Sequence, residues 1–145
     1  MYKITPFLWF DGQAEEAARF YTSIFKNSRI DSASPISATF HLDGQKFMAL
    51  NGGPQFKFTE AISFFVNCET QEEVDELWEK LSAGGTKQQC GWLKDKFGVS
   101  WQIIPSILGE MLQDANNEKS GRVMQAMLQM EKIDIARLNQ AYESQ

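Results

Sequence analysis

The sequence predicts an α+β fold in which two βαβββ modules form a cupped mixed sheet that is followed by C-terminal helices. Three observations support this prediction. Strand-like and helical segments follow the order strand, helix, three strands; this order occurs twice; and the residues after Pro105 have helical periodicity. The length of 145 residues, with 43% apolar and 23% charged residues, suits one soluble globular domain or two small half-domains that share one core. We therefore place the paired modules at 1–105, as 1–53 and 54–105, and a helical extension at 106–145, packed on the same domain or on a dimer partner.

The first module begins with an aromatic-rich segment, Lys3 to Phe10. Pro6 inside it favours a strand at a sheet edge. A helix follows, with Asp11 as the predicted N-cap, and its apolar residues recur at helical spacing: Ala14, Ala17, Ala18, Tyr21, Ile24 and Phe25. Three strands are predicted at 29–33, 36–42 and 46–50. Asp43-Gly44 between the last two is a strong hairpin-turn signal.

The second module repeats this plan. Ile62 to Cys68 is strand-like, and Thr70 to Glu73 is a capping box that opens a helix with the apolar stripe Val74, Leu77, Trp78 and Leu81. Further strands are predicted at 87–93 and 99–104. A shift of 54 residues places Gly44 to Phe47 on Gly98 to Trp101, which indicates an internal duplication.

Charge and composition exclude several classes of function. The net charge is −5, and the basic residues are scattered, so the electrostatic footprint of a nucleic-acid binder is missing. No apolar run approaches the ~18 residues that span a bilayer, and the N-terminus lacks signal-peptide features. Cys68 and Cys90 suit neither a disulfide scaffold nor a zinc site, so reduced thiols are expected. We expect a cytoplasmic protein with no nucleic-acid or membrane partner.

Four stretches carry a family resemblance: Phe7 to Gly12, Ala17 to Tyr21, Leu50 to Pro54 and Cys90 to Ile103. Together with the two modules, they resemble the vicinal oxygen chelate superfamily, and most closely its PhnB-like branch, also labelled 3-demethylubiquinone-9 3-methyltransferase-like. The resemblance extends to the helical tail around 123–135. It implies a cupped sheet, usually in a homodimer, with a small-molecule pocket in the cup. No single reaction is implied, because the superfamily includes glyoxalases, dioxygenases, antibiotic-modifying enzymes and drug-binding proteins. The methyltransferase label finds no support in the residues, since no glycine-rich nucleotide loop follows a strand.

The resemblance also implies where a metal would bind. Metal-dependent members use a histidine or similar ligand at the start of the first strand of each module and a glutamate in the last strand. The matching positions here are Ile4, Ala61, Met48 and Gln102, which offer neither histidine nitrogen nor carboxylate oxygen. We therefore expect no bound metal and no cofactor.

One segment departs from the family pattern. Members of this branch carry a longer, glycine-rich hairpin between the second and third strands, whereas here only Ser32 to Pro35 separates the two runs. Either the hairpin is trimmed or the sequence lacks a loop.

The candidate ligand contacts are large rings and a few polar groups. We expect Trp9, Phe64, Trp101 and Gln102 to approach one another in the concave face, with Asn51 as a further polar contact. Strand alternation leaves open which parity faces the pocket. Gln102 either orients a polar ligand or bonds to neighbouring strands.

Candidate catalytic residues are few. His41 is the sole histidine, and it is either a general base or a half-exposed surface residue. Cys90 lies near Lys94 and Lys96, so it is either an activated thiol or a packed one. The catalytic residues stay unknown at this point.

These observations favour a metal-free protein of the glyoxalase/bleomycin-resistance type that binds an aromatic or amphipathic small molecule. The alternative is an enzyme of the same superfamily, with lyase, dioxygenase or transferase chemistry and unidentified catalytic residues. A structural role with a filled cup is the third possibility. We also predict a homodimer, because sheet edges and apolar stripes in the tail need cover. The apolar tail residues are Met124, Met127, Leu128, Ile135 and Leu138.

Overall fold

The computed structural model describes residues 3–144, which fall into two compact units that divide between Phe58 and Thr59. Each unit contains a four-stranded mixed sheet, and the second also contains the C-terminal helices. The predicted α+β class with two βαβββ modules is confirmed. No helix in the described part of the chain is both long and apolar enough to cross a membrane.

The first unit has the strand order β1-β4-β3-β2. Its elements are β1 (Phe7–Phe10), α1 (Ala14–Ile24), β2 (Arg29–Ala33), β3 (Ser37–Leu42) and β4 (Gln45–Asn51). The first strand lies at the sheet edge, as Pro6 predicts, and runs parallel to β4. Asp43 and Gly44 both have positive φ, of 49° and 81°, so the predicted tight hairpin turn is confirmed.

The core of the first unit lies between α1 and one sheet face. Alternate strand residues are buried there, and the Tyr21 ring of α1 lies 6.1 Å from the Phe40 ring of β3. The N-cap predicted at Asp11 is wrong, because α1 begins at Ala14 and Gln13 occupies the cap position without a side-chain hydrogen bond.

The second unit has the strand order β5-β8-β7-β6. Its first elements are β5 (Phe64–Cys68), α2 (Gln71–Ser82), β6 (Thr86–Lys87), β7 (Trp92–Lys94) and β8 (Ser100–Pro105). The predicted N-cap is confirmed, since Thr70 accepts a hydrogen bond from the Glu73 amide at 3.2 Å. The predicted strand at 87–93 is interrupted because Cys90 and Gly91 have φ of 60° and 83°, which a strand cannot contain.

Three helices complete the second unit: α3 (Ser106–Leu112), α4 (Asn117–Leu128) and α5 (Ile135–Glu143). They enclose a small core with Ile104 of β8, to which Val123, Ile133 and Leu138 contribute fully buried side chains. The Gln71 side chain fastens this tail to α2, because it accepts from the Ile135 amide at 2.7 Å and donates to the Ile133 carbonyl at 3.0 Å.

Candidate functional site

The sheet of the first unit has one face against α1 and a second face that no helix of the unit covers. We call this second face the first open face; it is formed by Phe7, Trp9, Thr39, His41, Lys46, Met48 and Leu50. Phe7 of β1 pairs with Met48 of β4, and their exposed fractions are 56% and 37%. Large apolar side chains are therefore available to a ligand on this face.

Trp9 is half-buried on the first open face because the chain after β4 folds back over it. Its indole Nε1 donates to the Gly53 carbonyl at 2.9 Å, and its ring contacts the Phe56 ring at 4.9 Å in an edge-to-face arrangement. A Cβ at Gly52 would lie 2.2 Å from the Trp9 ring, so only glycine fits there. Trp9 thus presents a fixed aromatic surface beside Phe56.

Asn51 is committed to the scaffold of the first unit. Its Oδ1 accepts from the Ala14 amide at 2.8 Å, and its Nδ2 donates to the Pro35 carbonyl at 3.0 Å. The side chain therefore supplies, from β4, the cap that Gln13 does not give to α1. A ligand contact by Asn51 would require these bonds to break.

His41 forms a polar cluster that the sequence did not reveal. Its Nδ1 lies 2.6 Å from Asp31 Oδ2, while Arg29 Nε donates to Asp31 Oδ1 at 2.8 Å. Burial raises the pKa of Asp31, but the hydrogen bonds from Arg29 and His41 outweigh it, so the pKa is lowered overall. The signal that could have found this cluster is the strand register of β2 against β3, which single-sequence patterns leave undetermined.

The sheet of the second unit has an equivalent face turned away from α2. This second open face is formed by Ser63, Phe65, Asn67, Trp92, Lys94 and Gln102. Phe65, 53% exposed, pairs with Gln102. Gln102 Nε2 donates to Ser63 Oγ at 2.9 Å, so the amide oxygen is its remaining acceptor. An ion pair between Lys94 and Glu60 adds charge, and the hydrogen bond from Lys94 lowers the pKa of Glu60.

The expectation that Trp101 and Gln102 line the same surface is wrong. They are adjacent in β8, so their side chains point to opposite sides of the sheet. Trp101 is 2% exposed, contacts Phe64 at a ring distance of 5.2 Å and donates from Nε1 to Asp95 Oδ2 at 2.9 Å. Phe64 and Trp101 thus belong to the buried side of the sheet, and sequence analysis missed Phe65 on the open side.

Asp95 explains part of the Cys90 to Ile103 motif. It is buried, and its Oδ1 accepts from the amides of Phe97 and Val99 at 2.8 and 3.0 Å. One carboxylate therefore organises the β7–β8 turn and also holds the Trp101 indole. This role is structural.

The residues at the family's metal positions do not fit a metal. Ile4 and Ala61 are exposed apolar residues, Met48 offers a thioether, and the Gln102 amide nitrogen is bonded to Ser63. Within residues 3–144, no three His, Cys, Asp or Glu side chains lie close enough together to hold a metal ion.

The two cysteines differ in environment. Burial, with Glu73 and Glu69 nearby, raises the pKa of the Cys68 thiol to about 12, so Cys68 is protonated at neutral pH and unsuited to nucleophilic chemistry. Cys90 is half-buried in the turn before β7, and its amide donates to the Met130 carbonyl at 2.8 Å. Its backbone thus ties the tail to the sheet.

Comparison with known proteins agrees with this architecture. The family model for 3-demethylubiquinone-9 3-methyltransferase matches residues 2–104. The helical tail, which the resemblance was expected to include, lies outside the matched residues. A search of curated proteins finds no match. Among solved structures, the PhnB protein from Bacillus cereus shares 41% identity and a TM-score of 0.66, over 72% of this chain and 100% of that one.

Two more distant structures share the fold alone. A glyoxalase-related enzyme from Fulvimarina pelagi has 15% identity and a TM-score of 0.55, over 74% of this chain and 91% of its own. The fosfomycin resistance protein FosX from Listeria monocytogenes, solved with Mn(II) and sulfate, has 18% identity and a TM-score of 0.58, over 78% of this chain and 97% of its own. The family match and the PhnB relative show that the chain belongs to the 3-demethylubiquinone-9 3-methyltransferase family, in the PhnB-like branch of the vicinal oxygen chelate superfamily.

Proposed function

We propose that this protein binds a small aromatic or amphipathic molecule on its open sheet faces. The observation that carries the proposal is the paired exposure of Phe7 with Met48, beside the fixed ring of Trp9. Such a surface has an apolar area with few polar groups, which is the composition of a small-molecule site. Trp9 and Gln102 are the sequence-predicted contacts that we retain.

Gln102 is the polar contact of the proposal on the second open face. Its amide nitrogen is fixed by Ser63, and a fixed amide presents its oxygen to a ligand donor at low entropic cost. Phe65 beside it provides the apolar contact.

We infer binding without a metal or a cofactor, because the positions that match the family's metal ligands carry Ile4, Met48, Ala61 and Gln102. Methyl transfer is not part of the proposal, since no glycine-rich nucleotide loop follows a strand.

An enzyme of the same superfamily is the second candidate. The hydrogen bond between His41 and Asp31 favours it, because a carboxylate that orients an imidazole is an arrangement that a general base requires. Turnover of a bound compound that is lost in His41→Gln would establish it.

A cytoplasmic homodimer is part of the proposal. Large apolar side chains remain exposed on the chain, including Ile36, Met124 and Leu128, and a second copy would cover some of them. Light scattering at micromolar concentration should give twice 16.5 kDa, and a monomer would contradict the dimer.

The binding proposal is tested with a thermal-shift and tryptophan-fluorescence screen of aromatic acids, phenols, quinones and basic antibiotics. At least one class of compound should raise the melting temperature. In a sample with labelled methionine methyl groups, the same compound should also shift the NMR signal of the Met48 methyl group. If no compound stabilises the protein or moves Met48, the structural role is favoured instead.

A further inference from the structure

We propose that His41 Nε2, oriented by Asp31, is the acceptor for an aromatic hydroxyl group, and that the first open face therefore selects phenols. This inference rests on the proposed function and names the ligand class for that face.

Asp31 lies at a β-bulge of β2, on the same side of the sheet as His41. Arg29 pairs with His41 and Ile30 with Phe40, but the next pair is Ser32 with Thr39, so Asp31 is the extra residue. A bulge bends its strand and re-aims a side chain at that point. Asp31 stands two residues after Arg29, the partner of His41, so it lies on the side of the sheet that carries His41, and its Oδ2 meets His41 Nδ1 at 2.6 Å.

The hydrogen bonds of Asp31 determine which nitrogen of His41 carries the proton. Asp31 is ionised at neutral pH, since its hydrogen bonds lower its pKa, and an ionised carboxylate can only accept. Nδ1 of His41 must therefore donate to Oδ2 at 2.6 Å. In the neutral imidazole, Nε2 is then an acceptor, and it is complementary to a ligand O–H group.

The neighbours of His41 place this acceptor beside the apolar part of the face. Met48 pairs with Thr39, two residues before His41 on the same side of β3, and Phe7 pairs with Met48. Diagonal neighbours in a sheet lie about 7 Å apart, which is the length of a fused aromatic ring system. A phenol whose ring lies on Met48 and Phe7 can thus reach His41 with its hydroxyl. The His41 side chain is 19% exposed, which allows the contact.

Charged groups face His41 from both neighbouring strands and from the adjoining turn. Arg29 and Asp31 face it from β2, Lys46 pairs with it from β4, and Asp43 lies in the β3–β4 turn. The cationic Lys46 beside His41 favours a ligand oxygen with partial negative charge.

The experiment compares 2-naphthol with 2-methoxynaphthalene, which has the same rings but no hydroxyl proton. Because His41 is the sole histidine, ¹⁵N-edited NMR observes the signals of its ring nitrogens without overlap from other histidines. We expect the neutral imidazole of the free protein to carry its proton on Nδ1, and the Nε2 signal to shift when 2-naphthol is added. Binding of 2-naphthol should be roughly fivefold tighter than that of the ether, the ratio expected for one net hydrogen bond.

Two variants and a matched control complete the test. His41→Gln and Asp31→Ala should each remove the preference for 2-naphthol, whereas Asp43→Asn, which changes a nearby carboxylate that does not bond to His41, should keep it. Equal binding of naphthol and ether with shifted Met48 methyl signals would overturn this inference and leave the proposed function standing, as would a free protein whose Nε2 carries the only ring proton. Failure of both probes to move Met48 or tryptophan signals would count against both proposals.

Discussion

The two units share one framework but differ on their open faces. The shift of 54 residues that indicates the duplication places Phe47 on Trp101 and Met48 on Gln102. Phe47 and Trp101 are both buried, while Met48 and Gln102 both lie on the open side. Each open residue also pairs with an exposed phenylalanine, Phe7 in the first unit and Phe65 in the second.

The difference between the faces shows how a repeated fold acquires distinct sites. Burial restricts the core positions to large apolar rings, because a smaller residue would leave a cavity. The open positions carry no such restriction, so a thioether stands in one unit and an amide in the other. We therefore expect functional residues at the open positions, whereas the residues at the core positions contribute to stability.

The largest effect on stability is expected at the buried position of β8. Trp101→Ala should lower the free energy of unfolding by about 3 kcal/mol or more, because it leaves a cavity and removes the indole donor from Asp95. Trp92→Ala, which truncates a half-buried ring on the open side, should cost clearly less. Urea unfolding of both variants measures this, and equal costs would contradict the assignment of Trp101 to the core.

Sequence patterns predicted the order of elements because hydrophobic periodicity and turn residues are local signals. Asp43-Gly44, Thr70 and the edge position of β1 were all correct for this reason. The parity of β8 was not predictable, because Ser100 to Pro105 contains apolar residues on both sides where the tail covers Ile104. The duplication offered a clue, since Phe47 lies in a cleanly alternating strand.

The candidate site was less predictable than the fold. Asn51 looked like a free polar group, yet it bonds to α1 and to Pro35 across 37 and 16 residues of sequence. Asp31 meets His41 at a β-bulge, whose position no turn residue indicates. Long-range hydrogen bonds of this kind depend on register, and register is a property of the folded sheet.

The two helix caps provide the next test, because α1 is capped from a distant strand and α2 by its own Thr70. Asn51→Ala should lower the free energy of unfolding by about 1–2 kcal/mol, since it removes the cap together with the bond to Pro35. Thr70→Ala should cost about 1 kcal/mol. Denaturant unfolding distinguishes them. An Asn51→Ala variant as stable as the parent would show that water replaces the cap.

The last residues of β1 and β5 should affect the pH dependence of stability differently. Phe10 and Cys68 occupy these buried ends, and only the thiol titrates. Burial raises the pKa of Cys68 to about 12, above the ordinary value near 9, so the native state keeps its proton where the unfolded state loses it. The contribution to stability is complete below pH 9 and is lost as the pH rises towards 12. Between pH 7 and 10.5, the free energy of unfolding should fall less steeply in Cys68→Val than in the parent protein. Parallel curves for the two proteins would contradict this.

The smallest effect on stability, and the sharpest test of the comparison, is expected from exchanging the open residues. Gln102→Met gives the second face the residue of the first, and the side chain is half-buried, so the free energy of unfolding should change by less than about 0.5 kcal/mol. A polar ligand of the second face should bind about 1 kcal/mol more weakly, the net contribution of one hydrogen bond. Met48→Gln is the matched control, because it alters the same position of the first unit without touching Ser63. Calorimetric titration of both variants with a ligand from the screen decides the matter: if Met48→Gln weakens binding and Gln102→Met does not, the ligand lies on the first open face, and Gln102 only joins β8 to Ser63.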